Sequence, residues 1–199
     1  MNLILIRHGE THWNKERRVQ GGDSDIELND TGLNQARKLA SFLKNVNISF
    51  IVSSPLQRAV ATAEAIASQH RLEVKINTGL KELNVGKFEG LSLTNLTTTF
   101  SQFLLQWGKG VQLARLPDGE SLVELQQRSW EAVAPLLTEY KDGAVVVVSH
   151  YFVTLALLLK ALDLPLDYFT RFKVDLGGVS ILEVEDHVTR MVLFNNTSY

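Results

Sequence analysis

Residues 3–14 read LILIRHGETHWN. Four consecutive apolar residues without polar alternation have the form of a strand covered on both faces, and this one runs directly into Arg7, His8 and Gly9. A buried strand that ends in a cation and an imidazole asks for a chemical explanation. Either His8 and His12 are a metal-binding pair, or His8 does chemistry with Arg7 serving it. The rest of the chain decides between them.

Outward from this stretch, the pattern repeats. Residues 144–148 are five small or β-branched apolar residues after the turn Lys141-Asp142-Gly143, and they end in Ser149-His150. Phe50-Ile51-Val52 is broken by Ser53-Ser54-Pro55, and 72–76 is a shorter strand candidate. Between the strands lie helices. Asn29-Asp30-Thr31-Gly32 caps a run with Leu33, Ala36, Leu39, Ala40 and Leu43 on one face, and Pro55 opens an alanine-rich helix over 56–68. Helices are also expected over 92–107, 121–139 and 152–162, a loop over 79–92, and a closing hairpin of 179–184 with 189–194 about Glu185-Asp186-His187. The alternation predicts an α/β fold, a three-layer αβα sandwich with a mainly parallel central sheet, as one domain over residues 1–199.

Composition narrows the chemistry. The 199 residues are 45% hydrophobic and 21% charged, with a formal net charge of −2. That balance argues against a nucleic-acid or membrane-surface binder, and the basic cluster 15–18 reads first as a solvated face and second as a binding edge. No cysteine is present, which excludes disulfides, thiolate zinc sites and a cysteine nucleophile. The first residues, MNLILIRHGE, lack the basic start and cleavage site of a signal peptide, and no apolar run reaches membrane-helix length, so a cytoplasmic protein is expected.

In parallel sheets ligands bind beyond the carboxyl ends of the strands, where both Arg7-His8 and Ser149-His150 are expected. The metal pair fares poorly: HGETH follows a strand, contains a glycine, and has its glutamate at the wrong position for the zinc-protease motif, while Arg7 adds a cation. A fixed cation beside a histidine suits an anion, and a neutral imidazole at phosphorus can act as nucleophile. Further positive charge is then wanted for the equatorial oxygens, and Arg58, in the first turn of its helix, is the candidate.

With these residues in place, the chain resembles the histidine phosphatase superfamily, also called phosphoglycerate mutase-like. Residues 7–14 resemble its RHGETxWN signature, Ser53-Ser54-Pro55-Leu56-Gln57-Arg58-Ala59 its second motif, Glu82 in Leu80-Lys81-Glu82-Leu83-Asn84-Val85-Gly86 its acid-bearing loop, and Val148-Ser149-His150 its second histidine. Gln20, Gly21, Leu28, Gly32, Gln35 and Ala36 also fall into its pattern. The resemblance implies His8 as nucleophile, Arg7, Arg58 and His150 as holders of the phosphoryl group with Asn14, Gln20 and Gly21 around it, and Glu82 as general acid and then base. It implies no metal and no organic cofactor. One departure stands out: Tyr151-Phe152 occupies the place where the family commonly has glycine, so the Tyr151 N–H is left as a phosphate donor and the two rings narrow the pocket.

The resemblance further implies a phosphomonoesterase acting on a small-molecule phosphate ester, since the run 87–94 has one basic residue where mutases are rich in Arg, Tyr and Lys. Leu116-Pro117-Asp118-Gly119-Glu120-Ser121 and Phe172-Lys173-Val174-Asp175 look like the α-ribazole-5′-phosphate phosphatase branch of cobalamin assembly. Phe103, Trp107, Tyr151 and Phe152 are candidates for an aromatic nucleoside pocket or for plain core. A broad-specificity sugar or nucleotide phosphatase, a phosphoglycerate mutase and a non-catalytic phosphate-binding module are the alternatives. His12, His70 and His187 receive no role.

Overall fold

The computed structural model describes residues 1–94, 96, 110, 114–185 and 188–199. Its strands are β1 (Asn2–Arg7), β2 (Ile48–Ser53), β3 (Val74–Ile76), β4 (Ala144–Ser149), β5 (Val179–Glu185) and β6 (Val188–Asn196). Its helices are α1 (His12–Lys15), α2 (Asp30–Leu43), α3 (Gln57–His70), α4 (Leu122–Glu139) and α5 (Tyr151–Ala161), with 3-10 turns at Thr78–Leu80, Gly86–Phe88 and Leu166–Arg171. The strands form one sheet in the order β3-β2-β4-β1-β5-β6, parallel from β3 to β1 and antiparallel from there to β6.

The unalternating apolar strands are explained by two covered faces. Ile4, Ile6, Ile51, Val146 and Val148 pack toward α2 and α3, while Leu3, Leu5, Val52, Val145 and Val147 pack toward α4 and α5. Three layers result. The α5 helix is apolar over nearly its whole circumference because eight of its eleven residues are buried, which is what such a composition requires. Asn29 caps α2 through the Gly32 N–H at 2.9 Å, a contact whose loss costs on the order of 1 kcal/mol. Among the described residues no helix is long and apolar enough to cross a membrane.

Register sets the site. Arg7 pairs with Ser149 and Ser53 with Val148, so the three central parallel strands end level. The ladder runs one step further, His8 N–H donating to Ser149 O and Ser54 N–H to Val148 O, both at 3.0 Å. Residues 8, 54 and 150 are thereby brought side by side.

His12, which received no role, opens α1, where Thr11 and Asn14 form a reciprocal capping box. Some expectations are corrected. The expected helix over 92–107 does not begin at Ser92, which bridges to Arg18. Residues 95 and 97–107 of it, with Phe103 and Trp107, lie outside the described residues, as do Asp186 and His187 of the hairpin tip. The third strand is shorter than 72–76, since Leu72 closes the end of α3 through its N–H to Ala67 O.

Candidate active site

His8 leaves β1 into a loop pinned against α2. A Cβ on Gly9 would stand 2.6 Å from Gly32 O, so only glycine permits this approach. The Gly9 N–H donates to Thr62 Oγ1 at 3.3 Å, and the Gly9 carbonyl lies 2.7 Å from His8 Nδ1. A carbonyl only accepts, so Nδ1 carries the proton and Nε2 keeps its lone pair. Burial, then Arg58 and Arg7, holds His8 well below the usual histidine range, against the opposing Gly9 bond. His8 is a neutral imidazole.

The rings of His8 and His150 lie 5.1 Å apart at an edge-to-face angle of 62°. His150 Nε2 meets Ser54 Oγ at 2.7 Å, and burial, followed by Arg58, His8, Arg7 and Arg128, lowers its pKa well below the usual range as well. Arg58 and Thr62 are four residues apart on α3 and share its buried face. The Arg58 guanidinium donates to Ser24 O at 2.7 Å and Gly21 O at 2.9 Å, and its pKa is lowered to about 10, by burial first, which leaves it cationic at neutral pH. Arg7 donates to Val174 O at 2.9 Å and lies 5.1 Å from the centre of the Tyr151 ring.

Six buried side-chain atoms among the described residues lack a hydrogen-bond partner, and four of them are nitrogens of this site: Arg7 Nε, Arg58 Nε, Gln20 Nε2 and His150 Nδ1. Buried polar atoms are normally satisfied, so a group of orphaned nitrogens is the signature of a missing acceptor. Asn14 and Gln20 direct their amide oxygens to Thr11, at 3.0 and 2.8 Å, leaving their NH₂ groups for the cavity that both line. Gly21 is placed differently from the sequence expectation. Its N–H donates to Glu89 and its carbonyl accepts from Arg58, so it supports the arginine and has no N–H left to offer an anion.

Glu82 lies between two 3-10 turns and is buried. Its Oε1 accepts from Leu83 N–H at 2.8 Å and its Oε2 from Phe152 N–H at 3.3 Å, in the first turn of α5. Burial raises its pKa in spite of both bonds and of Arg58 and Arg7. Phe152 therefore supplies the bond to Glu82, while Tyr151 stands at the first position of α5, where the helix has no acceptor of its own.

A cavity of about 450 Å³ opens above Arg7, His8 and Glu82. Its walls include Val19, Leu83, Val85, Phe88, Leu96 and Leu116, and Tyr151 and Phe152 also line it. Arg17 and Arg18 stand at its edge, so the cluster 15–18, exposed at Lys15, Glu16 and Arg17, is a solvated face that also borders the cavity. Arg18 stacks over Trp13 at 4.5 Å, while Arg17 is exposed with φ at 56°. His8 is buried and His12 exposed, and among the described residues no three His, Asp or Glu side chains gather as a metal site. Sequence reading missed most of the wall, because single apolar loop residues carry no periodic signal.

The description "Histidine phosphatase superfamily (branch 1)" matches residues 3–197. The chain belongs to that superfamily. It is 36% identical over 165 residues to a protein of Escherichia fergusonii named probable phosphoglycerate mutase GpmB, covering 83% of this chain and 76% of that one. A solved mycobacterial glucosyl-3-phosphoglycerate phosphatase superposes with a TM-score of 0.89 at 30% identity, covering 98% of both chains. A structure described as a putative α-ribazole-5′-P phosphatase from Escherichia coli gives 0.87 at 28%, covering 99% of this chain and 97% of that one. The family and these neighbours mark the chain as a phosphoric monoester hydrolase or mutase of histidine phosphatase type.

Proposed function

We propose that the chain is a metal-independent phosphomonoesterase that works through a phosphohistidine on His8. The observation that carries this is the neutral His8 ring, Nδ1 tied to Gly9 and Nε2 free, set among buried nitrogens that want an acceptor. His8 Nε2 attacks phosphorus, the bond to the ester oxygen breaks, and protonated Glu82 gives its proton to that oxygen, releasing the alcohol. Water then attacks the phosphohistidine, Glu82 takes the water's proton, the P–N bond breaks, and phosphate leaves with Glu82 protonated again. Arg7, Arg58 and His150, with the amides of Asn14 and Gln20, hold the equatorial oxygens.

The apolar walls favour an alcohol half with little charge, and an aromatic nucleoside fits that chemistry. The narrower reading is α-ribazole 5′-phosphate, supported by the solved structures that bear this activity in their names. The rival is the mutase named for the GpmB relatives. It must bind a ligand charged at both ends, for which the cavity offers a second cation only at its edge, in Arg17 and Arg18, beyond walls that are mostly apolar.

The test is phosphate release in EDTA from α-ribazole 5′-phosphate, 4-nitrophenyl phosphate and 3-phosphoglycerate, with trapping of labelled enzyme. An acid-labile, alkali-stable label that His8→Ala lacks, with release from the ribazole ester fastest, is the expected result. Release that EDTA abolishes, or transfer between positions of phosphoglycerate without net release, would overturn it.

A further inference from the structure

The loop that carries Glu82 is held from behind by one guanidinium on α4. Arg128 Nη1 donates to Gly79 O at 2.6 Å and Lys81 O at 2.8 Å, and Nη2 donates to Glu82 O at 3.1 Å. The same group pairs with Glu120 at two points, Nη2 to Oε1 at 2.6 Å and Nε to Oε2 at 3.0 Å. All five of its N–H donors are thus used, in the planar fork that lysine cannot copy.

Glu120 extends the grip. Its Oε1 accepts from Asn84 N–H at 2.9 Å, and its own N–H donates to Asn84 O at 3.0 Å. Ser149, next to His150, donates its hydroxyl to Leu80 O at 2.8 Å. Four successive carbonyls, from residues 79 to 82, are therefore fixed, three by Arg128 and one by the end of β4. A loop without regular backbone pairing gains the rigidity of the sheet beside it, and the Glu82 carboxyl, on the cavity side, inherits that rigidity.

We propose that Arg128, with Glu120, is a positioning residue for proton transfer: it holds the Glu82 carboxyl at a set distance from the leaving oxygen. This rests on the reading of Glu82 as the general acid. General acid catalysis is worth about 10²–10⁴-fold and depends on hydrogen-bond reach, so a loosened loop loses that factor before it loses anything else.

The leaving group separates this role from a merely structural one. Benzyl phosphate releases a strongly basic alkoxide that needs a proton, whereas 4-nitrophenyl phosphate releases a weakly basic phenolate that does not. The experiment measures kcat/KM for both esters in the unaltered protein, Glu82→Gln, Arg128→Lys and Glu120→Gln, with the thermal midpoint of each. Taking the ratio of the two esters cancels general damage. Glu82→Gln is expected to lower the benzyl-to-nitrophenyl ratio about 10²-fold or more, Arg128→Lys about 10-fold, and Glu120→Gln less, in the same direction. Should Arg128→Lys not fold, Glu120→Gln carries the comparison, since it leaves the arginine in place. A ratio unmoved in both loop-clamp variants while Glu82→Gln moves it, whatever happens to the thermal midpoint, overturns the proposal alone. A ratio unmoved in Glu82→Gln overturns the general-acid reading and this proposal with it.

Discussion

The floor and the walls of the cavity are built by opposite means. The floor consists of residues at the ends of regular elements, His8 after β1, His150 after β4 and Arg58 in the first turn of α3, each buried and tied to main chain or to a buried hydroxyl. The walls are mostly apolar side chains from loops, a 3-10 turn and the first turn of α5, gathered in one hydrophobic cluster. Directional bonds fix atoms to fractions of an ångström, while packing fixes only volume and polarity. The floor therefore sets which reaction occurs, and the walls set which alcohol it occurs on. Changes to the floor should scale all esters together, and changes to the walls should reorder them.

The largest break of this division is His8→Ala. Removing the nucleophile should lower turnover of every ester by about 10⁴-fold or more, whatever the alcohol, because the other imidazole of the floor, His150, has its Nε2 engaged with Ser54. Steady-state phosphate release on a panel of esters checks it. A variant that kept a measurable rate on one ester only would show the floor and walls to be one device.

The same contrast explains what could be read from the sequence. Arg7, His8 and His150 were legible because a buried strand announces itself by composition and the residue after it is then located in space. Arg58 was legible from Pro55, which places the start of α3. Glu82 was legible only by resemblance, since nothing in the irregular stretch between its two 3-10 turns gives a direction. The grip of Arg128 and Glu120 was not legible at all, because its partners are mainly carbonyls, which every residue has. Gly21 was misread for a related reason: its support of Arg58 runs through its own main chain.

The next effect is pH dependence. Glu82 has a raised pKa through burial, so the acid form needed for esters of basic alcohols persists above its ordinary range and is lost as pH rises through the folded-state value. Stability has its own sign. The folded state keeps the Glu82 proton that the unfolded chain gives up above its ordinary value of 4.5, so this group lowers stability as pH rises between the two values. His8 and His150 act oppositely: the unfolded chain takes up protons below 6.5 that the folded rings refuse, so their contribution is present above 6.5 and is lost as pH falls through the folded values. Where these windows overlap, between the ordinary value of Glu82 and that of histidine and within the bounds the folded values set, two histidines oppose one glutamate. Glu82→Gln should therefore steepen the rise of stability with pH in that interval, as measured by urea midpoints in a buffer series. An unchanged slope would place the Glu82 pKa at its ordinary value.

A smaller effect tests the walls. The Phe152 ring lies over Phe169 at 5.4 Å and 8° and lines the cavity, while its N–H bonds Glu82. Phe152→Ala keeps the N–H and removes the ring. It should raise KM for aromatic esters about 10-fold with kcat nearly constant, and raise it less for small alkyl esters. An equal fall in kcat for both classes would mean that the ring serves the floor.

The smallest effect concerns the cavity edge. Arg17 and Arg71 both adopt φ of 56°, a left-handed conformation that costs a residue with a Cβ about 1–2 kcal/mol. At Arg71 the cause is local, since the chain must leave α3, whose left-handed C-cap it provides. At Arg17 the conformation follows α1 and sets a guanidinium beside the cavity. Glycine relieves the strain at either position but adds freedom to the unfolded chain, which offsets roughly 0.5–1 kcal/mol of the gain. Arg17→Gly and Arg71→Gly should thus each stabilise the fold by about 0.5 kcal/mol, seen as a higher urea midpoint at constant slope. Only Arg17→Gly should also shift the relative kcat/KM of esters with charged and uncharged alcohols, because only that residue borders the walls. A shift in both variants would mean that the choice of alcohol depends on overall stability, and the separation of walls from floor would fail at its mildest test.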